Sequence, residues 1–227
     1  MNRALPMLML AALAFNKPAR GEDKAVEKTE SEKPRPVDIR YQAYARYAAA
    51  GQEKERQGGW GPSDNFPRSI AKGDAFGDQE RLSVVVTSDE SARIGKYDGV
   101  HVRIVNRSDE RTFISAIDSH LYLVQEAMND KGEWQAIERM PHGTGPRDCA
   151  VGFHRISLQP GQYWNVVGPR YNGSFKTKLR FRLDLGKKDG QFPQPGGKVI
   201  YSNEFEGSIN REQFQRGPTT PFDLKPL

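Results

Sequence analysis

The stretch MPHGTGPRDCAVGFHRI, residues 140–156, gathers the reactive residue types of the chain: His142, Asp148, Cys149 and His154. A cysteine nucleophile needs a histidine within hydrogen-bond reach and a third group to orient that histidine. All three types are present here. The same His142, Cys149 and His154 are weak candidates for a metal site, since they lack the paired C-x-x-C or H-E-x-x-H spacing of a strong one. His154 falls in a predicted strand, whereas His142 and Cys149 fall in a loop of Gly and Pro, and nearness in sequence does not create the geometry. The commoner fate of a lone thiol is a small buried side chain at the foot of a strand. No catalytic residue and no cofactor is therefore assigned, and a thiol or metal hydrolase centred on Cys149 stays a minor alternative. His101 and His120 belong to separate strand segments, and the chain carries no P-loop, nucleophile elbow, dinucleotide fingerprint or calcium loop.

A second pattern lies in FKTKLRFRLDL, residues 175–185. Alternate residues form one row of Phe175, Thr177, Leu179, Phe181, Leu183 and Leu185 and another of Lys176, Lys178, Arg180 and Arg182. In a strand the first row points to a core and the second to solvent. Like charges two residues apart repel modestly, and acids on neighbouring strands relieve them; Glu126, Glu133, Glu138, Glu204 and Glu206 are the candidates. The first reading of Lys176, Lys178, Arg180 and Arg182 is a solvated face paired across strands. The second is a docking site for an anionic polymer or an acidic protein. Nucleic acid is not expected, because no aromatic residue is interleaved on the cationic side. Trp60 and Tyr171 are the aromatic candidates for stacking on sugar rings.

These residues need a scaffold, and from Arg81 onward the apolar period is two. Strands are predicted over 82–88, 99–106, 111–117, 120–128, 133–140, 153–158, 163–168, 175–185 and 198–205. Turn chemistry separates them at Asn106-Arg107-Ser108-Asp109, Asn129-Asp130-Lys131-Gly132, Pro160-Gly161 and Pro195-Gly196-Gly197. Many short strands without helical periodicity between them imply a mainly β chain, an antiparallel two-sheet sandwich of immunoglobulin-like type spanning residues 81–214. Ahead of it, residues 38–57 read as a short helix capped by Asp38, with Tyr41, Tyr44 and Ala48 at helical spacing. Residues 58–80 read as an irregular connection and 215–227 as a Pro-rich tail.

The N-terminal residues carry Arg3 and an apolar run from Ala4 to Phe15 that ends in Ala12-Leu13-Ala14. That is the form of a secretory signal peptide over residues 1–14, with a second cleavage choice at 21, and the run is shorter than the ~20 residues a spanning helix needs. Residues 15–37 read as a disordered charged linker; from Arg20 to Arg40 there are six basic and six acidic residues. Cys149 is the only cysteine, so stability in an oxidising compartment must come from the core. Export to the periplasm, cell envelope or medium is expected, with no membrane span in the mature chain. The formal charge of +5 over 227 residues suits anionic partners.

In NRSDERTFISAIDSHLYLVQEAMNDKGEWQAIE, PRYNGSFKTKLRFRL and VIYSNEFEGSINREQF, the chain resembles a class of exported bacterial β-sandwich proteins. The shared features are Gly132, Trp134, Ile137 and Glu138 in one hairpin strand, Gly173, Phe175 and Thr177 to Arg180 in another, and Ser202 to Phe205 in a closing strand. The resemblance spans about residues 99–214 and implies the architecture, with no activity or catalytic residue attached. The functional expectation is an exported, non-catalytic module that binds a protein or a cell-envelope component such as a polysaccharide. A carbohydrate-binding accessory domain is the alternative.

Overall fold

The computed structural model describes residues 33–52, 63–74, 76, 81–140, 153–187 and 196–217. These residues lie in one compact unit that begins at Lys33. In chain order the strands are β1 (Ala43–Tyr44), β2 (Arg68–Ser69), β3 (Leu82–Ile94), β4 (Tyr97–Asn106) and β5 (Thr112–Ile117). There follow β6 (His120–Met128), β7 (Trp134–Ala136), β8 (Glu138–Arg139), β9 (Phe153–Leu158) and β10 (Gln162–Pro169). The series closes with β11 (Phe175–Asp184), β12 (Val199–Tyr201), β13 (Phe205–Ile209) and a 3-10 turn over Arg211–Phe214.

Two antiparallel sheets result. One has the order β2-β10-β4-β3, and the other the order β12-β11-β6-β5-β9 with β13 also on β11 and β7 on β6. The period-two pattern decides which faces meet. Val100, Val102 and Ile104 of β4, Trp164 and Val166 of β10, and Leu179, Phe181 and Leu183 of β11 are buried in one shared core. Large apolar side chains of this kind stabilise by roughly 1.5–3 kcal/mol each when fully buried. The arrangement is mainly β, antiparallel and consistent with a β-sandwich.

The expected helix over residues 38–57 is not present in its described part, 38–52. There the chain is extended or irregular. Ala43 and Tyr44 pair in parallel with Glu138 and Arg139, and the Ala45 amide donates to the Arg139 carbonyl. Ala50 donates to the Ser119 carbonyl, and Leu121 donates to the Ala48 carbonyl. Ala43, Ala45 and Tyr47 are all buried, an alternation of two rather than a stripe of 3.6. Alanine favours a helix in isolation. Here its small side chain instead lets the main chain approach β8 and the β5–β6 turn, and those tertiary hydrogen bonds outweigh local propensity. Residues 53–57 lie outside the described residues. Val37 and Ile39 also enter the core, so the last residue of the stretch read as linker, Val37, belongs to the packed body.

A close fit between the sheets lies at Gly168 of β10. A Cβ there would lie 2.6 Å from Cζ of Phe181. That ring is fully buried, stacked on Phe205 and met edge-on by Tyr47, so it has nowhere to retreat. Gly168→Ala is therefore expected to destabilise by roughly 1–3 kcal/mol, the usual cost of overpacking. In a Phe181→Leu background the same change should cost clearly less. Urea unfolding of the four chains in a double-mutant cycle measures both; additive effects would show that the two residues do not press on each other.

Candidate functional site

The cations of β11 stand where alternation places them, on the face away from the core. Arg180 lies opposite Glu126 of β6 in the strand register. Its Nε and Nη2 donate to Glu126 Oε2 at 2.9 and 2.7 Å, and Arg182 Nε sits 3.4 Å from the other carboxylate oxygen. The Arg180 guanidinium is also sandwiched between two rings, 4.2 Å from the centre of Trp134 and 3.8 Å from that of Tyr201. Cation–π contact with two rings and charge-assisted bonds from Nε and Nη2 take up most of this guanidinium. Lys178 reaches Glu204 at 3.0 Å, and that hydrogen bond raises the ammonium above its ordinary range, with Glu206 adding to the effect. Lys176 forms no ion pair among the described residues. Of the expected acids, Glu126 and Glu204 carry the pairing. Glu133 instead bonds Asn129, and Glu138 is not on this face at all.

Glu138 is 3% exposed and belongs to a cluster drawn from four segments. The hydroxyl of Tyr47 and the amide of Gln125 donate to its Oε2, each at 2.7 Å, and the hydroxyl of Tyr171 donates to Oε1 at 2.7 Å. Burial pushes the carboxyl up from 4.5 to about 7, against the pull of these three donors. Burial and the neighbouring carboxyl push both tyrosines well above their ordinary range. Tyr171 is 3% exposed, so it is a member of this clamp and presents no ring face to a sugar. Trp60 lies outside the described residues, as do His142 and Cys149. His154 is on β9 opposite Ala116. Among the described residues no three His, Cys, Asp or Glu side chains cluster as a metal site.

A different place in the molecule is open. A cleft of about 1060 Å³ lies between the start of β3, the loop leading into β5, and β12 with the loop that precedes it. Five exposed cations line it: Arg81, Arg111, Arg155, Lys187 and Lys198. Among the described lining residues the acids are Asp109 and Glu110. Arg81, Arg111, Lys187 and Lys198 form no ion pair among the described residues, in contrast to the β11 row. Phe113 and Tyr201, two of the three exposed large hydrophobic residues among those described, also line the cleft at 54% and 47% exposure. Among its described lining residues there is no histidine or cysteine.

Two buried polar side chains fix the walls. Asn106, fully buried at the end of β4, donates to the carbonyls of Glu110 and Leu158 and accepts from the amide and hydroxyl of Ser108. It thereby sets the loop that carries Asp109, Glu110 and Arg111. On the other side Asp184 accepts from the amides of Gly186, Gly196 and Gly197, which holds Lys187 and Lys198 at the rim. Gly197 is required there, since a Cβ would fall 1.8 Å from the Gly186 carbonyl oxygen. Sequence reading assigned both stretches to turns. Their cations come singly from distant segments, so no run in the chain announces them.

Two outcomes follow from these contacts. Arg180→Ala leaves the half of Glu126 that it held without a partner in a nearly closed site and should cost roughly 3 kcal/mol in urea unfolding, as loss of one member of a buried pair does. Lys176→Ala should leave the unfolding midpoint unchanged, and equal effects at the two positions would contradict the geometry. For Glu138, a folded-state value raised from 4.5 to about 7 means the native state holds a proton that the unfolded chain releases. Stability from this group is therefore full below pH 4.5 and is lost as pH rises to about 7, a change of about 3 kcal/mol. Thermal unfolding across that window should show Glu138→Gln with a flatter pH dependence than the parent and the higher melting temperature at about pH 8. Parallel pH profiles for the two chains would rule this out. Comparison of the chain with protein-family models, with curated proteins and with solved structures returned no match.

Proposed function

We propose that this chain is an exported, immunoglobulin-like binding module whose cleft takes an anionic protein or cell-envelope polymer. The observation that carries the reading is the contrast between two sets of cations. Those of β11 are largely taken up by Glu126, Glu204 and aromatic rings, whereas the cleft holds five exposed cations against two acids beside two exposed rings. Charge of one sign lining a concavity focuses potential and draws in the opposite charge. Fixed walls lower the ordering cost of binding. Export rests on the apolar N-terminal run with its small-residue cleavage pattern. Among the described residues no helix is long and apolar enough to cross a membrane. The carbohydrate alternative moves with the site: Phe113, and the side of Tyr201 that Arg180 leaves uncovered, offer ring surface in place of Trp60 and Tyr171, which makes an acidic glycan the sugar ligand to compare.

Biolayer interferometry with the full chain tests this, using immobilised poly-L-glutamate and polygalacturonate as probes. Binding to at least one is expected, weakening steeply as salt rises past ~0.1 M. The pair of reversals Arg111→Glu and Lys198→Glu should weaken binding by roughly tenfold or more, while Lys176→Glu leaves it unchanged. A chain that binds neither probe, or reversals without effect, would overturn the reading.

A further inference from the structure

The cleft is bounded by strand edges as well as by charge. β5 pairs with β9 along its whole length, from Thr112↔Leu158 to Ile117↔Phe153. On its other side it pairs with β6 only at Ala116↔Leu121 and Ile117↔His120. One residue further back, the Ser115 amide donates to the Leu185 carbonyl, which shows that the main-chain groups of Ser115 turn away from β9. Alternation along a strand turns those of Phe113 the same way. Among the described residues no hydrogen bond to the Phe113 main chain on that side is present.

On the opposite wall the chain leaving β12 already has a partner on its outer side at Val84↔Ser202, and Val199 lies beyond that bridge. Leu185 donates to the Lys198 carbonyl and Ser202 donates to the Phe181 carbonyl, so Lys198 and Ser202 face β11. Val199, between them, turns its main-chain groups outward to the cleft. Edge cations by themselves serve to keep copies of a chain from pairing edge to edge. Such protection needs no hollow, and it does not call for exposed rings such as Phe113 and Tyr201 beside the edge. A cleft with an unpaired strand edge at Phe113, apolar ring faces and surplus positive charge is complementary to a strand that carries carboxylates.

We infer that the cleft binds an acidic peptide segment in extended conformation, added as a strand to the Phe113 edge of β5, with the Val199 edge of β12 as the opposite wall. The inference rests on the binding reading above and names its ligand class. Main-chain hydrogen bonds supply affinity in this mode and alternate side chains supply selectivity. Acids at every second position, spaced at ~6–7 Å, face one rim and meet Arg111 and Lys198. Arg111 stands over the Phe113 ring at 5.9 Å, so acids on that face of the added strand meet the cation and pack their methylenes on the ring, and the apolar residues between them turn to the opposite face.

The test uses the full chain and fluorescence anisotropy with a labelled hexapeptide of alternating Glu and Val. A second peptide has the same side chains and charge but N-methyl groups on alternate amides, and polygalacturonate serves as competitor. The unmodified peptide is expected to bind, N-methylation to weaken binding by about tenfold or more, and Arg111→Glu to weaken it further. Equal binding of the two peptides, with sensitivity to Arg111→Glu retained, would overturn strand addition while leaving the anionic cleft in place. Polygalacturonate binding at the cleft without peptide binding would do the same and assign the site to an acidic glycan. Sedimentation of the free chain as a dimer that Arg111→Glu dissociates would give the edge to a second copy and likewise overturn the inference. Failure of every polyanion to bind would remove the binding reading and this inference together.

Discussion

Burying a carboxyl costs several kcal/mol unless hydrogen bonds compensate, and at Glu138 the compensation is drawn from Tyr47, Gln125 and Tyr171. These residues are far apart in the chain. Their meeting fixes the N-terminal segment, β6, β8 and the end of β10 to one another at a single point. Each partner would lose its own bond if any other moved, so the cluster enforces one arrangement rather than merely adding stability. Around it, Tyr47 presses edge-on against Phe181, and the Trp164 indole donates to the Gly51 carbonyl at 3.0 Å. The extended path of residues 33–52 depends on this set of contacts. The N-terminal segment becomes part of the core only because the clamp holds it there.

That dependence explains which parts of the fold were legible in the sequence. Strands β4, β10 and β11 show the alternation that one face of a sheet demands, carried by residues such as Val102, Ile104, Val166 and Phe181; β6 is buried on both faces and was legible as an apolar run, and β3, expected over 82–88, runs on to Ile94. The outward row of β11 was legible too, with Glu126 and Glu204 among the acids expected to meet it. The path of residues 38–52 was not legible. Tyr41, Tyr44 and Ala48 fit a helical stripe, and only the distant main chains of Arg139, Ser119 and Leu121 make the extended form better. Glu138 was misplaced for a related reason. In EWQAIERM it sits among surface-like polar residues, and nothing local reveals that two tyrosines from elsewhere close over it. The Arg180 sandwich needs Trp134 and Tyr201, which belong to different strands, and no window of sequence contains all three.

The cleft was missed on the same principle. Its cations come from five separate segments, one at a time, whereas the row on β11 stands out because four fall in seven residues. Density in sequence is a poor guide to availability. Side chains packed close together on a strand are also close to the acids and rings of the strands beside them, and Arg180 shows the result. Cations scattered on loops and strand ends have fewer neighbours to satisfy them. Arg81, Arg111, Lys187 and Lys198 remain turned to solvent with no ion pair among the described residues.

Availability matters for recognition only if the groups are held in place, and the two walls are held by different means. Asn106 is a neutral amide that both donates and accepts, bridging the 107–111 loop to β9 through the Leu158 carbonyl. Asp184 is a carboxylate that collects three amides from a Gly-rich turn. A loop tied through its own main chain to a buried side chain resists reshaping, because moving it would leave buried polar atoms without partners. The rim cations can therefore change rotamer while their backbone stays fixed. A ligand reaching this cleft meets long cationic side chains on a main chain anchored through Asn106 and Asp184, a combination that favours a partner whose main chain is regular and whose side chains vary. An extended strand has that property. Its hydrogen-bonding groups recur every second residue whatever the side chains are, and they match the fixed edges of β5 and β12, while long cationic side chains adjust to the carboxylates that happen to be present.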